Sequence, residues 1–255
     1  MGNLPASQVG FLNPTIPIDQ SIYEQSTTKK AALGTRLEVG ERVFRYAKAG
    51  DTGLGISAGR IACSVIDVSL HGGTYVSFAV ATTGATSLSA TATGTFATDV
   101  FVDGFVVFGG GTRAGEVYKI KSHGTGVATV PIVLYDPIVG TVTATSLGAV
   151  IPSRFVCEIS TGSQGPVGVS MIDVTAGNYF WLQTKGPAGV IAAATPAAHE
   201  PLTIGTTGAV ITPVVVTTCN STSAVVGSNG AFYIGYNGDA AGVAAKATPI
   251  VLMLE

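Results

Sequence analysis

The chain has 255 residues, a mass of 25.6 kDa and a formal net charge of −2 at pH 7. Charged residues make up 11% of it, against about 25% in an average protein, and 46% of the residues are hydrophobic. This composition excludes charge-rich disorder, and an isoelectric point near 5.9 gives no support to nucleic-acid binding through a basic surface. No apolar run reaches the about 18 residues of a membrane-spanning helix, so no membrane partner is predicted.

The low charge also bears on the surface of the folded protein. A soluble domain usually carries about 25–35% charged residues on its surface, and this chain cannot supply them. Either the exposed faces are covered with Thr, Ser, Gly and Ala, or partners in an assembly cover a large share of the surface. The composition is consistent with both explanations together.

Residues 1–36 differ from the rest of the chain. Pro5, Pro14 and Pro17 impose extended backbone and prevent a continuous helix. A flexible tail would be more polar, so we interpret this stretch as an extended N-terminal arm that orders on its own domain or on a neighbouring subunit. A short helical turn over 21–32, ended by Gly34, is expected within it. Its candidate partner contacts are Phe11, Ile16, Ile18 and Tyr23.

From residue 37 onward, short β-prone runs alternate with turn residues, which predicts an all-β fold. The expected architecture is a β-sandwich or barrel-like domain, or two such domains, of antiparallel strands. Residues 37–150 form one β-rich domain in this interpretation, and residues 151–255 form a second one or continue the first. The stretch 82–98 is almost entirely Thr, Ala, Ser and Gly, and it fits either a weak exposed strand or a loop.

Runs with strand character recur along the whole chain after the arm. They lie at 37–47, 60–70, 75–82, 101–108, 117–122, 127–134, 140–150, 155–160, 169–174, 178–184, 189–193, 209–218, 232–236 and 249–254. No exact repeat of fixed period relates them, so a regular solenoid or propeller is not predicted.

The strand predicted around residues 36–48 carries most of the charge in its part of the chain. In one interpretation it is an ordinary sheet edge whose charges guard against aggregation. In the other it forms a salt-bridged contact with another subunit. Both interpretations stay open at this point. The candidate contact residues on it are Arg36, Glu38, Glu41, Arg42, Arg45 and Lys48.

Residue types that carry chemistry form no recognisable motif. The glycine run 109–111 lacks the GK[ST] ending of a phosphate loop, so it is interpreted as a turn between strands. His71, His123 and His199 have no metal-ligand spacing, and hydrogen-bonding or solvent roles are favoured for them. We therefore predict no enzymatic activity, no cofactor, no metal and no small-molecule substrate.

The cysteines predict the redox environment of the chain. Cys63, Cys157 and Cys219 are odd in number and widely separated, with no CxxC spacing. Buried free thiols are the favoured interpretation, which suits a protein made in a reducing cytoplasm.

Three consecutive aromatic residues, Tyr179, Phe180 and Trp181, mark one predicted strand. Side chains alternate between the two faces of a strand, so these rings point to both faces. At least one face is therefore core, and the other is an interface or a sugar-stacking platform. Core packing is favoured for Trp181, the only tryptophan of the chain.

The same strand belongs to a longer motif. The segment AGNYFWLQTKGPA at 176–188 resembles the AG-x-Y-x-W-[VL]-Q-x-x-G-x-A stretch of structural proteins encoded in tailed-phage virion modules. Two further pieces are similar to the same group: GERVFRYAKAG at 40–50 with AGR at 58–60, and EVYKI at 116–120 leading to LYDP at 134–137. The resemblance covers about a fifth of the chain in the expected order. It implies a structural role and supplies no catalytic residues.

These observations predict a capsid decoration, or cement, protein of a tailed phage. Its expected partners are the major capsid protein and copies of itself, as a homotrimer, and its expected place is the outer surface of the virion after assembly in the host cytoplasm. The alternative is a tail, fibre or adhesin module whose Thr/Gly-rich loops bind host glycans. A polysaccharide depolymerase is disfavoured because no catalytic constellation stands out.

Overall fold

The computed structural model describes residues 19–50, 55–64, 76–91, 100–125, 129–144, 146–159, 165–193, 201–204, 208–211, 235–237 and 247–254. Regular structure in these ranges consists of β-strands and short 3-10 turns such as Gly111–Arg113, so the predicted all-β class is confirmed. No helix in the described ranges has the length and hydropathy that crossing a bilayer requires.

The described strands are short, apart from one of thirteen residues. In chain order they are β1 (Arg36–Val39), β2 (Arg42–Ala49), β3 (Ile61–Ser64), β4 (Val76–Phe78), β5 (Ser87–Thr91), β6 (Phe105–Phe108), β7 (Val117–His123), β8 (Thr129–Leu134), β9 (Leu147–Ile151), β10 (Val156–Ile159), β11 (Pro166–Ser170), β12 (Tyr179–Ile191), β13 (Pro201–Ile204), β14 (Val210–Ile211), β15 (Gly235–Asn237) and β16 (Ala247–Met253). The two strands predicted at 178–184 and 189–193 are one continuous strand, β12.

The chain divides into two compact units. Unit 1 combines Met1–Ser64 with Phe155–Glu255, and unit 2 is Val65–Arg154. This division runs differently from the expected boundaries at residues 36 and 150. The physical reason is that β1, β2 and β3 form their sheet with strands after residue 154, while the strands between them close on one another.

Unit 1 contains a mixed sheet in which β2 and β12 are the central neighbours. β2 pairs antiparallel with β12 along one edge, and with β1 and then β10 along the other. β10 pairs with β3, β3 with β11, and β11 with β12, so the pairings return to β2 and five strands close into a ring. The second half of β12 continues into β16, β15, β13 and β14. The β2–β10 pair is parallel, which differs from the purely antiparallel arrangement predicted.

Unit 2 is a closed antiparallel barrel with the strand order β4-β5-β8-β7-β6-β9. Inward-facing apolar side chains alternate with outward-facing ones along its strands and fill a single core. The barrel-like domain predicted from the sequence is therefore confirmed for this part of the chain. Within the uncertain stretch 82–98, residues 87–91 form the strand β5.

Unit 2 is inserted between two neighbouring strands of unit 1. β3 ends at Ser64, and Ser64 lies opposite Cys157 on β10. Opposite residues of an antiparallel pair have Cα atoms about 4.5–5.5 Å apart, so the chain leaves and re-enters unit 1 at one place. In the sequence, unit 2 therefore follows β3 and precedes β10, two strands that are paired neighbours in unit 1.

Small side chains fill the ring of unit 1. All five ring strands contribute to one buried cluster, which contains Ala47, Ala49, Ala62 and Cys157 beside larger residues from β11 and β12. Cys63 follows Ala62 on β3 and therefore points to the opposite face of that strand. There it belongs to a second buried cluster, which includes Leu252 of β16. Both cysteines are buried free thiols, as predicted. Cys219 lies outside the described residues.

Candidate interaction surface

The segment 19–33, which precedes β1, covers the outer face of β2 and β12. On that face lie Phe44, Tyr46 and Trp181, each with none of its surface exposed. Ile22 and Leu33 from the preceding segment pack over them and are themselves buried. The Tyr46 and Trp181 rings meet edge to face with centroids 5.1 Å apart. Core packing of Trp181 is confirmed, and this part of the arm orders on its own domain.

Gln20 fastens the segment to the aromatic pair. The Trp181 indole Nε1 donates to the Gln20 carbonyl oxygen at 3.1 Å, and the Tyr46 hydroxyl donates to Gln20 Oε1 at 2.8 Å. Gln20 Nε2 donates in turn to the carbonyl oxygens of Tyr179 and Glu24, both at 3.0 Å. A buried side chain with all its polar atoms satisfied fixes one backbone position strongly. Gln20 is therefore held at a fixed position, and we call it the root of the arm, because the preceding residues extend from it.

The predicted helical turn over 21–32 does not form. Ser26 instead exchanges two backbone hydrogen bonds with Tyr179, at 2.9 and 2.7 Å. Gln25 Oε1 accepts from the backbone N–H of Thr175 and from Asn178 Nδ2, both at 2.8 Å. These long-range bonds hold the segment extended, and they replace the local bonds that a helix would make.

Burial raises the pKa of the Tyr46 phenol, and nearby Tyr179 raises it further, against the lowering effect of the Lys30 backbone N–H that donates to its oxygen. The folded protein thus favours the neutral phenol. Its contribution to stability is present below the ordinary tyrosine pKa of about 10 and is lost as pH rises through the raised folded value.

Tyr46→Phe is expected to lower the free energy of unfolding of unit 1 by about 1–3 kcal/mol at pH 7, since Lys30 N–H and Gln20 Oε1 lose a buried partner. The same variant should lose less stability than the parent between pH 7 and about pH 10.5, because it has no phenol to ionise there. Urea titrations followed by Trp181 fluorescence measure both effects. Tyr23→Phe is the matched control, since Tyr23 is 48% exposed, and it should leave the free energy of unfolding at pH 7 nearly unchanged. Equal losses for the two variants would contradict the role of the buried hydroxyl.

β2 also forms a two-stranded hairpin with β1, which pairs along the edge of β2 opposite to β12. Val39 pairs with Arg42, so Gly40 and Glu41 alone make the turn. Gly40 has a φ of +60°, which suits the first position of a two-residue hairpin loop and favours glycine. The charged strand predicted at 36–48 is therefore two strands, and its residues are divided between them.

The structure brings some of the predicted contact residues together. Arg36 forms an ion pair with Glu38 on the exposed face of β1. Across the ladder from Arg36, Arg45 donates from Nη1 to the Gly34 carbonyl oxygen at 3.1 Å. Arg36, Glu38 and Arg45 thus share one face of the hairpin.

The other predicted residues lie elsewhere on unit 1. Arg42 occupies the opposite face, with its guanidinium carbon 5.4 Å from the centre of the Phe44 ring. Lys48 lies at the far end of β2 opposite Tyr179, Glu41 is exposed at the hairpin turn, and Tyr23 is exposed on the covering segment. The candidate residues Phe11, Ile16 and Ile18 lie outside the described residues.

A second exposed surface was not predicted from the sequence. On the outside of the barrel, apolar residues of β6 and β9 lie beside Val117 at the start of β7, and Phe105, Val117 and Leu147 are 41%, 55% and 42% exposed. Val107, Ala149 and Ile151 extend this apolar patch, and Lys119 and Lys121, the other outward-facing residues of β7, border it. Each strand shows the ordinary alternation, so only the pairing of the three strands shows that their outward apolar residues are neighbours. A contiguous apolar patch on a soluble domain often marks an interaction site.

The histidine and the glycine run that were considered for metal or phosphate binding, and that the structure describes, have structural roles. His123 is buried, and its Nε2 accepts from the Phe101 backbone N–H at 2.9 Å. The glycine run at 109–111 links β6 to β7, which agrees with its interpretation as a turn. Among the residues placed by the structure, no three His, Cys, Asp or Glu side chains cluster in a way that could hold a metal ion.

Comparison with known proteins leaves this geometry as the basis for assigning a function. No family model matches the chain, and no curated protein or solved structure matches it.

Proposed function

We propose that the protein is a capsid decoration, or cement, protein that binds the outer surface of a tailed-phage shell and stabilises it. One observation carries the proposal: the arm has a fixed root. Residues 20–33 are fastened over Trp181 and Tyr46, and the stretch before them, residues 1–18, is apolar and contains no charged side chain. A chain segment of that composition gains free energy by being covered, and its root is held at a defined place.

The length of this stretch suits a partner beyond the domain. Eighteen extended residues span at most about 60 Å, which exceeds the diameter of a small domain. The proposed partner is the major capsid protein, contacted by Phe11, Ile16 and Ile18, with Tyr23 and the charged hairpin at the root of the arm. Binding only the assembled shell would stabilise it by mass action.

Two further features support an assembled protein. The chain carries 11% charged residues, fewer than an isolated soluble surface normally needs. The lysine-bordered apolar patch of the barrel exposes Phe105, Val117 and Leu147, which suits coverage by a neighbour on a lattice. The proposal assigns no reaction, cofactor or nucleic-acid partner, and it places the protein on the virion surface.

Shell binding by an arm-deleted variant tests the proposal. Removing residues 1–18 leaves Gln20, Ile22 and Leu33 in place, whereas removal of 1–36 would also uncover Trp181 and confuse binding with folding. Purified empty shells are saturated with each version, and the bound copies per shell subunit are counted by quantitative mass spectrometry. We expect the parent at a simple lattice ratio and the shortened protein at least about tenfold lower in affinity, from the loss of several buried apolar side chains.

A matched control separates composition from length. Phe11→Ser with Ile16→Ser should reproduce most of the loss, whereas Asn3→Ser with Gln8→Ser, which changes polar residues of the same stretch, should not. Full occupancy by the shortened protein would overturn the assignment of the arm, and absence of the protein from particles would overturn the virion role.

The second candidate is a tail, fibre or adhesin module that binds host glycans. One observation favours it: Ser87, Ser89 and Thr91 alternate outward along β5, beside Ser77 on β4, so that this barrel wall presents hydroxyl groups. A few copies per particle, together with saturable binding of cell-wall sugars to the purified protein, would select this function.

A further inference from the structure

The hairpin strand β1 is an end strand of the unit 1 sheet. In the described strand order, its one ladder partner is β2. The side chains of Arg36 and Glu38 are 46% and 50% exposed, while Leu37 between them is buried against the aromatic cluster. An end strand of this kind is a template on which another strand can pair.

The hairpin fixes which backbone groups face the outer edge. A two-residue loop closes on a hydrogen-bonded pair, here Val39 and Arg42, and hydrogen-bonded pairs then alternate along an antiparallel ladder. Leu37 therefore bonds toward β2, and the Tyr46 N–H donates to the Thr35 carbonyl oxygen at 2.9 Å, as that alternation requires. The backbone N–H and C=O groups of Arg36 and Glu38 are directed to the outer edge.

Charge selects one alignment for a second copy pairing at this edge. An antiparallel partner strand must set outward-facing residues opposite each other, so a two-fold pairing centred on this strand has three registers. One sets Arg36 opposite Arg36, and another sets Glu38 opposite Glu38, and both bring like charges together. The third sets Arg36 of each copy opposite Glu38 of the other, with Leu37 opposite Leu37.

We propose that two copies of the chain associate through β1 in this third register, which makes a continuous sheet across the two-fold axis. Each Arg36–Glu38 pair exchanges two backbone hydrogen bonds, and the two pairs are related by symmetry. The ion pair within one strand is exchanged for two between strands. Leu37 keeps its place in the core, so the pairing requires no repacking of unit 1.

This association explains why the edge carries opposite charges two residues apart. Two cross-strand pairs on a four-residue strand give a weak dimer in dilute solution, and the same contact becomes populated where many copies are held close together. The proposal goes beyond the virion role and does not depend on it. It predicts a two-fold contact, whereas the sequence led us to expect a homotrimer.

Charge reversal in the full-length chain tests the register. Arg36→Glu alone sets acidic side chains opposite each other in both pairs, and Glu38→Arg alone does the same with basic ones. Each single variant should weaken self-association roughly tenfold or more in low salt, measured by sedimentation equilibrium from micromolar to submillimolar protein. The double variant, with both substitutions, restores opposite charges and should associate like the parent.

Mixing the two single variants provides the sharpest outcome. A copy with Arg36→Glu and a copy with Glu38→Arg are complementary in the third register, so the mixture should associate like the parent although each variant alone associates more weakly. Loss of the ion pair within one strand cannot produce this rescue, because it is absent from both variants. Trp181 fluorescence checks that every variant is folded.

Hydrogen exchange of the parent protein gives a second readout that needs no variant. Protection of the Arg36 and Glu38 amides, which face the outer edge, should increase with protein concentration, while that of the barrel strands should not. The proposal is overturned by a parent that stays monomeric, by a trimer that the single variants leave intact, or by a mixture without rescue. A monomeric parent that still coats shells would remove this proposal and keep the decoration role, whereas a dimeric protein absent from particles would do the reverse.

Discussion

Trp181→Ala is expected to lower the free energy of unfolding of unit 1 by about 3–5 kcal/mol and to release the segment that covers it. The indole has none of its surface exposed, stacks edge to face on Tyr46, and donates to the Gln20 carbonyl oxygen. Its loss removes both the apolar contact and the bond that fixes the root of the arm. Circular dichroism in urea measures the stability, because the fluorescent residue itself is lost.

Release of the covering segment is measured by limited trypsin cleavage after Lys29 and Lys30, which lie within it. Cleavage should accelerate in Trp181→Ala and less so in Trp181→Phe, which keeps an aromatic ring but loses the hydrogen bond. Phe108→Ala is the control, because it deletes an aromatic residue of similar burial from the barrel core. It should destabilise unit 2 and leave cleavage at these lysines unchanged. An unchanged cleavage rate in Trp181→Ala would contradict the proposed fastening.

Gly186→Ala is expected to be the most damaging single-methyl addition on β12. Gly186 has a φ of +87°, and an added Cβ would lie 2.6 Å from the Glu41 carbonyl oxygen at the hairpin turn. The backbone conformation costs about 1–2 kcal/mol for a residue with a side chain, and displacement of the turn adds about 1–3 kcal/mol more. Trp181 fluorescence in urea should therefore show a loss of about 2–5 kcal/mol.

Gly40→Ala provides the matched comparison, since Gly40 also has a positive φ but an added Cβ there meets nothing within 4 Å. It should cost only the conformational part, about 1–2 kcal/mol. The difference between the two variants then measures how firmly the hairpin is seated on β12. Equal losses would mean that the turn moves aside freely.

The features predicted correctly from the sequence depend on local patterns. Alternating apolar residues and frequent turn residues predicted an all-β chain, and three consecutive aromatics predicted a strand with a buried Trp181. Buried free thiols at Cys63 and Cys157 followed from spacing and composition alone. Each of these properties is decided by a residue and its near neighbours.

The features that escaped prediction depend on pairing between distant residues. The pairing of β2 with β12 joins two strands that are separated in the sequence by all the barrel strands, so no local pattern predicts it. Gln20 carries no sequence signal, since its role exists only when Tyr46 and Trp181 lie beside it. The hairpin was read as one strand because a single glycine, Gly40, marks its turn. Register and topology of this kind are set by tertiary packing.

Insertion of the barrel between β3 and β10 has a consequence for the order of folding. At about 5–20 residues per second, the ribosome takes roughly 5–20 s to pass from Ser64 to Val156, and the whole barrel emerges in that interval. Its first and last strands, β4 and β9, are hydrogen-bonded neighbours, so a folded barrel brings its own ends together. It thereby turns a long loop between β3 and β10 into a short one and removes most of the entropy cost of closing it. We expect unit 1 to fold after the barrel has folded. Substitutions that slow folding of the barrel core should therefore also delay formation of the five-stranded ring in unit 1.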